Sequence, residues 1–245
     1  MKDTFLQFKF RTINKYLIES LVNPSIYFAT PAELNDPFDC RLNLRRSFQR
    51  AASYATDNRK KWLHHVMSIP NFIENFDSLI NSVGVCSFSS IMEETLLWSH
   101  YADQHRGVCL TYEFPTSFLL DTQFKLTVGG PVIYMEEPLT EWLRNGPIED
   151  MELESFVKEL LHILLKTKSP SWAYEKEARL IRSKSGDCAI CGAFMKQVCF
   201  GLQTPQRDID LIIRLSSDYC GCTRFARMVS DETDFGFIIR PYQLR

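Results

Sequence analysis

The side chains best suited to chemistry fall into a few short runs. The first is Ser171-Trp172-Ala173-Tyr174-Glu175-Lys176-Glu177-Ala178-Arg179. In an extended backbone Glu175, Glu177 and Arg179 point to the same side, because strand side chains alternate. Two carboxylates so close raise each other's pKa, and a guanidinium beside them lowers it. Such a set serves catalysis, or it is the charge ladder of an exposed strand edge, where carboxylates contribute weakly to folding. A second run places Trp98, Ser99, His100, Tyr101, Asp103, His105 and Arg106 within nine residues. On a helix Trp98 and Tyr101 share a face, and His100 can reach Ser99 or Asp103. The plainer alternative is a half-buried amphipathic helix ending in a turn at Gly107. A third run, Leu34-Asn35-Asp36-Pro37-Phe38-Asp39, favours a tight turn, since Asx side chains bond nearby backbone and proline fixes φ. That turn presents Asn35 or Asp39 to a ligand, or it only reverses the chain.

The elements that must position these runs follow from periodicity. Phe5–Phe10 alternates as a strand, and Thr12 is placed to cap a short helix with Ile13, Tyr16, Leu17 and Leu21 on one face. Strands are expected at Ile26–Ala29, Val83–Ser89, Gly107–Phe114, Val132–Tyr134, Ala178–Ile181 and Val198–Leu202, with an antiparallel pair at Phe225–Val229 and Phe235–Ile239. Helices are expected over residues 41–65, around Phe72–Ile80, over Met92–Asp103, over Leu153–Leu165 and after Thr204-Pro205. Helices and strands do not alternate regularly, which argues against a doubly wound parallel sheet. The expected architecture is α+β: one domain over residues 1–245 with a mixed, mostly antiparallel sheet, flanking helices, and a partly basic helical insertion at 41–82.

Composition is that of an ordinary globular chain, with 45% hydrophobic and 24% charged residues. A net charge of −2 gives no global attraction to nucleic acid or membrane. The charge is unevenly spread. Residues 41–61 carry Arg41, Arg45, Arg46, Arg50, Arg59, Lys60 and Lys61 against Asp57, whereas 136–154 carry Glu136, Glu137, Glu141, Glu149, Asp150, Glu152 and Glu154 against Arg144. Phe48, Tyr54 and Trp62 interleave with the basic segment. Bases stack on such aromatics while cations meet phosphates, so Arg45, Arg46 and Arg50 are nucleic-acid-binding candidates; a solvated basic helix is the simpler reading. No apolar run reaches the length of a signal peptide or membrane span, so the expected compartment is the cytoplasm. Cys86, Cys109 and Cys199 read as buried thiols. Cys188-x2-Cys191 and Cys220-x-Cys222 offer four thiolates, the number zinc takes, but the second spacing is one residue short of a zinc knuckle. Reduced structural thiols are the reading preferred to zinc. His64, His65 and His162 are read as structural. There is no phosphate loop, HExxH or GxSxG.

Taken in order, the polar runs resemble a large bacterial family catalogued as a domain of unknown function. Its marks are a lysine/arginine-bearing first strand, an "FNDPFD" turn, a "CFS" strand, a "WSHYA" block and a "WxYExEwR" block. Here they stand as Phe8-Lys9-Phe10-Arg11, Leu34 to Asp39, Cys86-Ser87-Phe88-Ser89, Leu97 to Leu110 and Trp172 to Arg179, with Leu34 for Phe and Ala178 for Trp as departures. Arg11, then Ser87-Phe88-Ser89, then Glu175-Lys176-Glu177 is also similar to the order found in ADP-ribosyltransferases that consume NAD. That resemblance implies an ADP-ribosyltransferase-like fold with NAD as substrate. Glu177 would orient the ribose, stabilising the oxocarbenium-like state of nicotinamide–ribose cleavage through its 2-hydroxyl. Glu175 would activate or position the acceptor, and Arg11 would hold pyrophosphate. Lys9, Asn35, Ser87, Ser89, Trp98, His100, Tyr101 and Arg179 complete the expected NAD-binding set. The role so implied is a toxin or phage-defence effector modifying nucleic acid or protein, with an antitoxin or regulatory protein as a partner. Two readings from other classes stand beside it: a hydrolase or nuclease using His100, Asp103 and the glutamates, and a non-catalytic nucleotide-binding sensor.

Overall fold

The computed structural model describes residues 4–120 and 126–243. In chain order the strands are β1 (Thr4–Arg11), β2 (Ser25–Phe28), β3 (Gly84–Ser89), β4 (Val108–Pro115), β5 (Leu126–Pro131), β6 (Ile133–Tyr134), β7 (Thr167–Lys168), β8 (Glu177–Arg182), β9 (Gly186–Ala189), β10 (Met195–Phe200), β11 (Arg224–Ser230) and β12 (Phe237–Pro241). The α-helices are α1 (Lys15–Val22), α2 (Leu44–Tyr54), α3 (Asp57–Ser68), α4 (Phe72–Ser82), α5 (Thr95–Tyr101), α6 (Pro138–Asn145), α7 (Leu153–Lys166) and α8 (Gln206–Cys220). Eight strands form one sheet in the order β12-β11-β10-β4-β1-β3-β8-β5, and β2 pairs with β9 and β6 with β7 outside it. In the large sheet β10 and β11 run parallel and the other neighbours antiparallel. The parallel pair needs a crossover, which α8 supplies. The expected mixed, mostly antiparallel α+β arrangement is therefore present.

Three apolar clusters hold the layers together. One packs Leu17 and Leu21 of α1 and Ile209 and Ile212 of α8 against Phe88, Leu110, Phe114 and Phe200. A second gathers α2, α3, α4, α6 and α7 through Phe48, Leu63, Phe76, Leu143, Phe156 and Leu160 onto Val85 and Ile181. The third, around Trp98, joins Phe10, Cys109, Cys199 and Met228. Each buried large side chain of this kind contributes about 1.5–3 kcal/mol relative to exposure. Among the described residues, no helix is long and apolar enough to cross a membrane.

The sheet forks at β3. One edge of β3 pairs with β8 along its whole length, from Gly84 opposite Arg182 to Ser89 opposite Glu177. The other edge is shared. Ser89 stands opposite Phe8 of β1, a single register pair, while Val85 exchanges two backbone hydrogen bonds with Ala29, just past β2, at 2.9 and 2.7 Å. Ser87 lies between these two attachments. From it β1 and the end of β2 diverge, and the gap between them opens the cleft described below.

Several local expectations need correction. Asn14, not Thr12, caps α1, its Oδ1 accepting from Leu17 N at 3.1 Å. The basic segment is two helices, α2 and α3, separated at Ala55-Thr56. The helix expected over Met92–Asp103 is only α5, because Trp98 Nε1 donates to Met92 O at 2.9 Å and holds the preceding chain in a loop. The last strand starts at Phe237 rather than Phe235. Strands β5, β7 and β9 and helix α6 lie outside the elements expected from the sequence. The basic and acidic segments meet: α2 packs on α6, Arg50 pairs with Glu137 at 2.9 Å, and Arg59 pairs with Glu149.

Beyond α5 the chain makes an uncommon turn. Asp103, Gln104 and His105 all have positive φ, at 47°, 52° and 67°. L-residues visit this region singly, at about 1–2 kcal/mol each. Here the turn is fixed from both sides: Gln104 N and His105 N donate to Ser99 O and Trp98 O, and His105 O accepts from Gln203 N. A Cβ on Gly201 would stand 2.2 Å from His105 O, so the neighbouring strand end must be glycine there. Gln104 is exposed. Gln104→Gly should therefore stabilise the chain by up to about 1 kcal/mol, read as a higher denaturant midpoint; an unchanged or lower midpoint would show that the turn is unstrained.

Candidate active site

Glu177 opens β8, facing Ser89 across the ladder. Glu175 does not reach it by strand alternation, as an extended 171–179 would require. Residues Pro170–Glu175 form a 3-10 helix, and Lys176, left-handed at φ 46°, turns the chain into β8. The helix and the strand thereby deliver both carboxylates to one place. Trp172 of the same run ties it to the Asn35–Asp39 turn, its Nε1 donating to Asp36 Oδ2 at 2.7 Å.

The carboxylates are buried in a charge network rather than displayed on an edge. Glu175 and Glu177 are each 4% exposed and Arg179 1%. Lys168 Nζ donates to Glu175 Oε2 at 2.6 Å and to Glu177 Oε2 at 2.9 Å, with Asp39 Oδ2 3.6 Å away. Arg179 Nε donates to Glu177 Oε1 at 2.6 Å, and the same guanidinium bonds Asp39 and the Leu165 carbonyl. Tyr101 OH donates to Glu175 Oε1 at 2.6 Å and accepts from Asn35 Nδ2 at 2.9 Å. Ser89 Oγ donates to the Glu175 carbonyl, and Glu177 N to Tyr134 OH. Asp39, Glu175 and Glu177 against Lys168 and Arg179 leave one excess negative charge.

Burial pushes the Glu177 carboxyl up, but the charge and hydrogen bond of Arg179, with Lys168 and a hydrogen bond from Ser87, outweigh it and bring the group down to about 2. Burial pulls the Lys168 ammonium down, yet Glu177 and Glu175 hold it above the ordinary lysine range. Burial and the bond to Glu175 raise the Tyr101 phenol. At neutral pH the centre thus holds a fixed carboxylate at Glu177, a fixed ammonium at Lys168 and a neutral phenol at Tyr101.

These groups open onto the fork in the sheet. A cleft of about 1350 Å³ is lined by Glu175, Glu177, Lys168, Asp39, Tyr101 and Asn35, by Ser87 and Ser89 of β3, and by Lys9 and Arg11 of β1. Most of the residues picked out from the sequence therefore share one cleft. Lys9 Nζ donates to Ser87 O at 2.8 Å and lies 5.0 Å from the Phe88 ring centre. Among the described residues neither Lys9 nor Arg11 forms an ion pair. They are cations without counter-charge.

Three expected ligand contacts are placed elsewhere. Trp98 is fully buried in the third apolar cluster, edge-on to Phe10, because an indole gains more there than in a wet cleft. His100 is exposed and outside the cleft, its ring 6.5 Å from that of Tyr174. Arg179 stands behind the carboxylates, engaged with Glu177 and Asp39. Asp103, paired with Arg106 at 3.1 Å on the surface, also lies apart. Arg45, Arg46 and Arg50 are exposed on α2. Cys188, Cys220 and Cys222 are buried and Cys191 exposed; among the described residues no group of three or more His, Cys, Asp or Glu is arranged to hold a metal.

Sequence reasoning missed Lys168 and Tyr134. Lys168 follows an apolar helix, where lysine commonly marks a solvated helix end, so its type and position give no sign of burial. Tyr134 lies on the two-residue strand β6, which pairs in parallel with β7 and so sets Tyr134 opposite Lys168.

Because folding lowers the Glu177 pKa from 4.5 to about 2, its contribution is complete above the unfolded value and vanishes as pH falls toward about 2. That shift corresponds to about 3 kcal/mol. Glu177→Gln should lose stability of this order at pH 7 and should also lose the decline of unfolding free energy between pH 5 and 2. Denaturant melts across that range decide the matter, and parallel curves for the two proteins would disprove the pairing. An exposed-edge glutamate, the simpler expectation from the sequence, would have cost almost nothing.

No curated protein and no solved structure matches the chain. The family model that does match covers residues 97–180, a stretch running from α5 through β8 that includes Tyr101, Tyr134, Lys168, Glu175, Glu177 and Arg179. It agrees with the resemblance drawn from the sequence: over residues 97–180, which supply every member of the buried charge network but Asp39, the chain matches the family described as "Protein of unknown function (DUF2971)".

Proposed function

We propose that the cleft binds NAD and breaks its nicotinamide–ribose bond, passing ADP-ribose to an acceptor. The observation that carries this reading is the separation of charged side chains along one cleft: Lys9 and Arg11, which form no ion pair among the described residues, on one side of the fork, and Glu177 and Glu175 on the other. A pyrophosphate matches the first pair, since guanidinium binds phosphate oxygens in bidentate fashion. A ribose that gains positive charge as neutral nicotinamide departs matches the second. Arg11 lies three residues beyond the Phe8–Ser89 pair, where β1 diverges from β3, and Glu177 faces Ser89 across the next ladder, so the two stand on opposite sides of the gap that a pyrophosphate and one ribose would bridge.

In the proposed reaction the C1–nitrogen bond breaks, its electron pair leaves with nicotinamide, and positive charge develops on the ribose. Glu177 needs no deprotonation, because Arg179 and Lys168 already hold it as carboxylate. Its oxygens meet the 2-hydroxyl and stabilise the charged state more than the ground state. Glu175, steadied by Tyr101 and Lys168, positions the acceptor, whose lone pair forms the new bond to C1 while its proton passes to solvent. A nucleotide-binding sensor is the second reading. It is favoured by the completeness of Glu177's bonding, which leaves less of the carboxylate free. A hydrolase or nuclease relying on His100 and Asp103 finds less support, since neither lines the cleft.

Incubation with NAD separates these readings. Nicotinamide release is expected from the wild type, and Glu177→Gln should lower it by roughly 10²-fold or more in samples whose circular dichroism confirms folding. Arg11→Ala should raise KM with a smaller effect on kcat, and it keeps the test informative if the buried substitution unfolds the chain. Binding of NAD without release would establish the sensor instead.

The acceptor is proposed to be protein or nucleic acid, in keeping with an effector role as a toxin or in phage defence. For nucleic acid, Arg45 and Arg46 are the cations of α2 that form no ion pair among the described residues, Arg50 being paired with Glu137. Replacing Arg45 and Arg46 by Ala should flatten the salt dependence of RNA or DNA binding by about one unit of slope per lost phosphate contact. An unchanged slope would assign α2 to solubility alone.

A further inference from the structure

The cleft extends past Arg11. Its far wall is formed by Tyr16 and Glu19 of α1, Tyr27 of β2 and Asp187 of β9, none of which the function above employs. Both tyrosines present ring surface to solvent, Tyr16 at 61% and Tyr27 at 42% exposure. The Tyr27 ring is held in place: its hydroxyl donates to Glu33 Oε1 at 2.9 Å, and Glu33 is itself fixed by Thr30 N at 2.8 Å. Asp187 stands directly opposite Tyr27 in the β2–β9 ladder, so its carboxylate and the ring share a face. Neither Asp187 nor Glu19 forms an ion pair among the described residues.

Along its length the cleft therefore alternates acid, base and acid. Carboxylates at the far end repel a phosphate, and a purely apolar ligand would have no use for them. A flat ring carrying hydrogen-bond donors suits both features. Building on the NAD reading, we propose that this end is an adenosine subsite. The purine lies against Tyr27 with Tyr16 at its border, Asp187 accepts from the donors of the nucleoside, and Arg11 holds the phosphates between the two halves.

The subsite is tested by binding, independently of turnover. Calorimetric titration of the full chain with ADP-ribose and with ribose 5-phosphate should show ADP-ribose bound at least 10-fold more tightly, the scale of one base stacked on an aromatic side chain. Tyr27→Leu and Asp187→Asn should each weaken ADP-ribose about 5-fold or more and leave ribose 5-phosphate unaffected. Asp187 is exposed, so its substitution keeps the test open if Tyr27→Leu perturbs β2. Equal affinity for the two ligands, or no binding of either, overturns the proposal, as do variants that bind ADP-ribose like the wild type. Nicotinamide release measured on the same preparations separates the two ideas. Adenosine preference without release defeats the turnover reading and leaves the subsite standing; release without adenosine preference does the reverse.

Discussion

The Lys168 ammonium is the constraint around which the site is arranged. Buried at the end of β7, it must have carboxylates, because an unpaired buried charge costs several kcal/mol. Glu175 and Glu177 answer it from two directions, the first from a 3-10 helix and the second from β8. Arg179 and Asp39 close the network on the other side. No member can be removed without stranding another. The positions of β7, β8, the Asn35–Asp39 turn and α5 are thus tied to one electrostatic balance, and the family match falls on most of the chain that supplies it.

Networks of this kind contribute little net stability when compared with apolar packing, yet they fix geometry strongly. Here the geometry is the orientation of two carboxylates at the rim of a cleft. Tyr101 shows the same economy of means: it is delivered by the short helix α5, which the fully buried Trp98 anchors. The left-handed turn after α5 is then the conformational cost of returning the chain into β4 so soon after Tyr101, a cost offset by hydrogen bonds to Trp98, Ser99 and Gln203.

Much of the site was legible in the sequence because its members are clustered. Glu175 and Glu177 stand two apart, Ser87 and Ser89 likewise, and alternation on β1 pairs Lys9 with Arg11. What could not be read was depth. A Glu-x-Glu-x-Arg pattern looks the same on an exposed edge and on a covered strand. The difference here is made by β5, the strand beyond β8, and by the helices over the second apolar cluster. For the same reason Trp98 and His100 looked alike as neighbours on a polar run, whereas packing sends one inward and the other to solvent. The basic segment misled in a related way: its counter-charge lies some ninety residues away in sequence, on Glu137 and Glu149, and only the packing of α2 and α3 beside α6 brings it near.

The fork at β3 has a mechanical meaning. A continuous antiparallel ladder resists shear through every rung, but β1 and β3 share one register pair, Phe8 with Ser89. Within the sheet, the half bearing Lys9 and Arg11 and the half bearing Glu177 meet at a point rather than along a line. The cleft lies at that point, flanked by the continuous ladders β1–β4 and β3–β8. The fewest backbone hydrogen bonds between neighbouring strands of the sheet thus fall where cations and carboxylates face each other, and a bound anion spanning the gap would act as the missing rung.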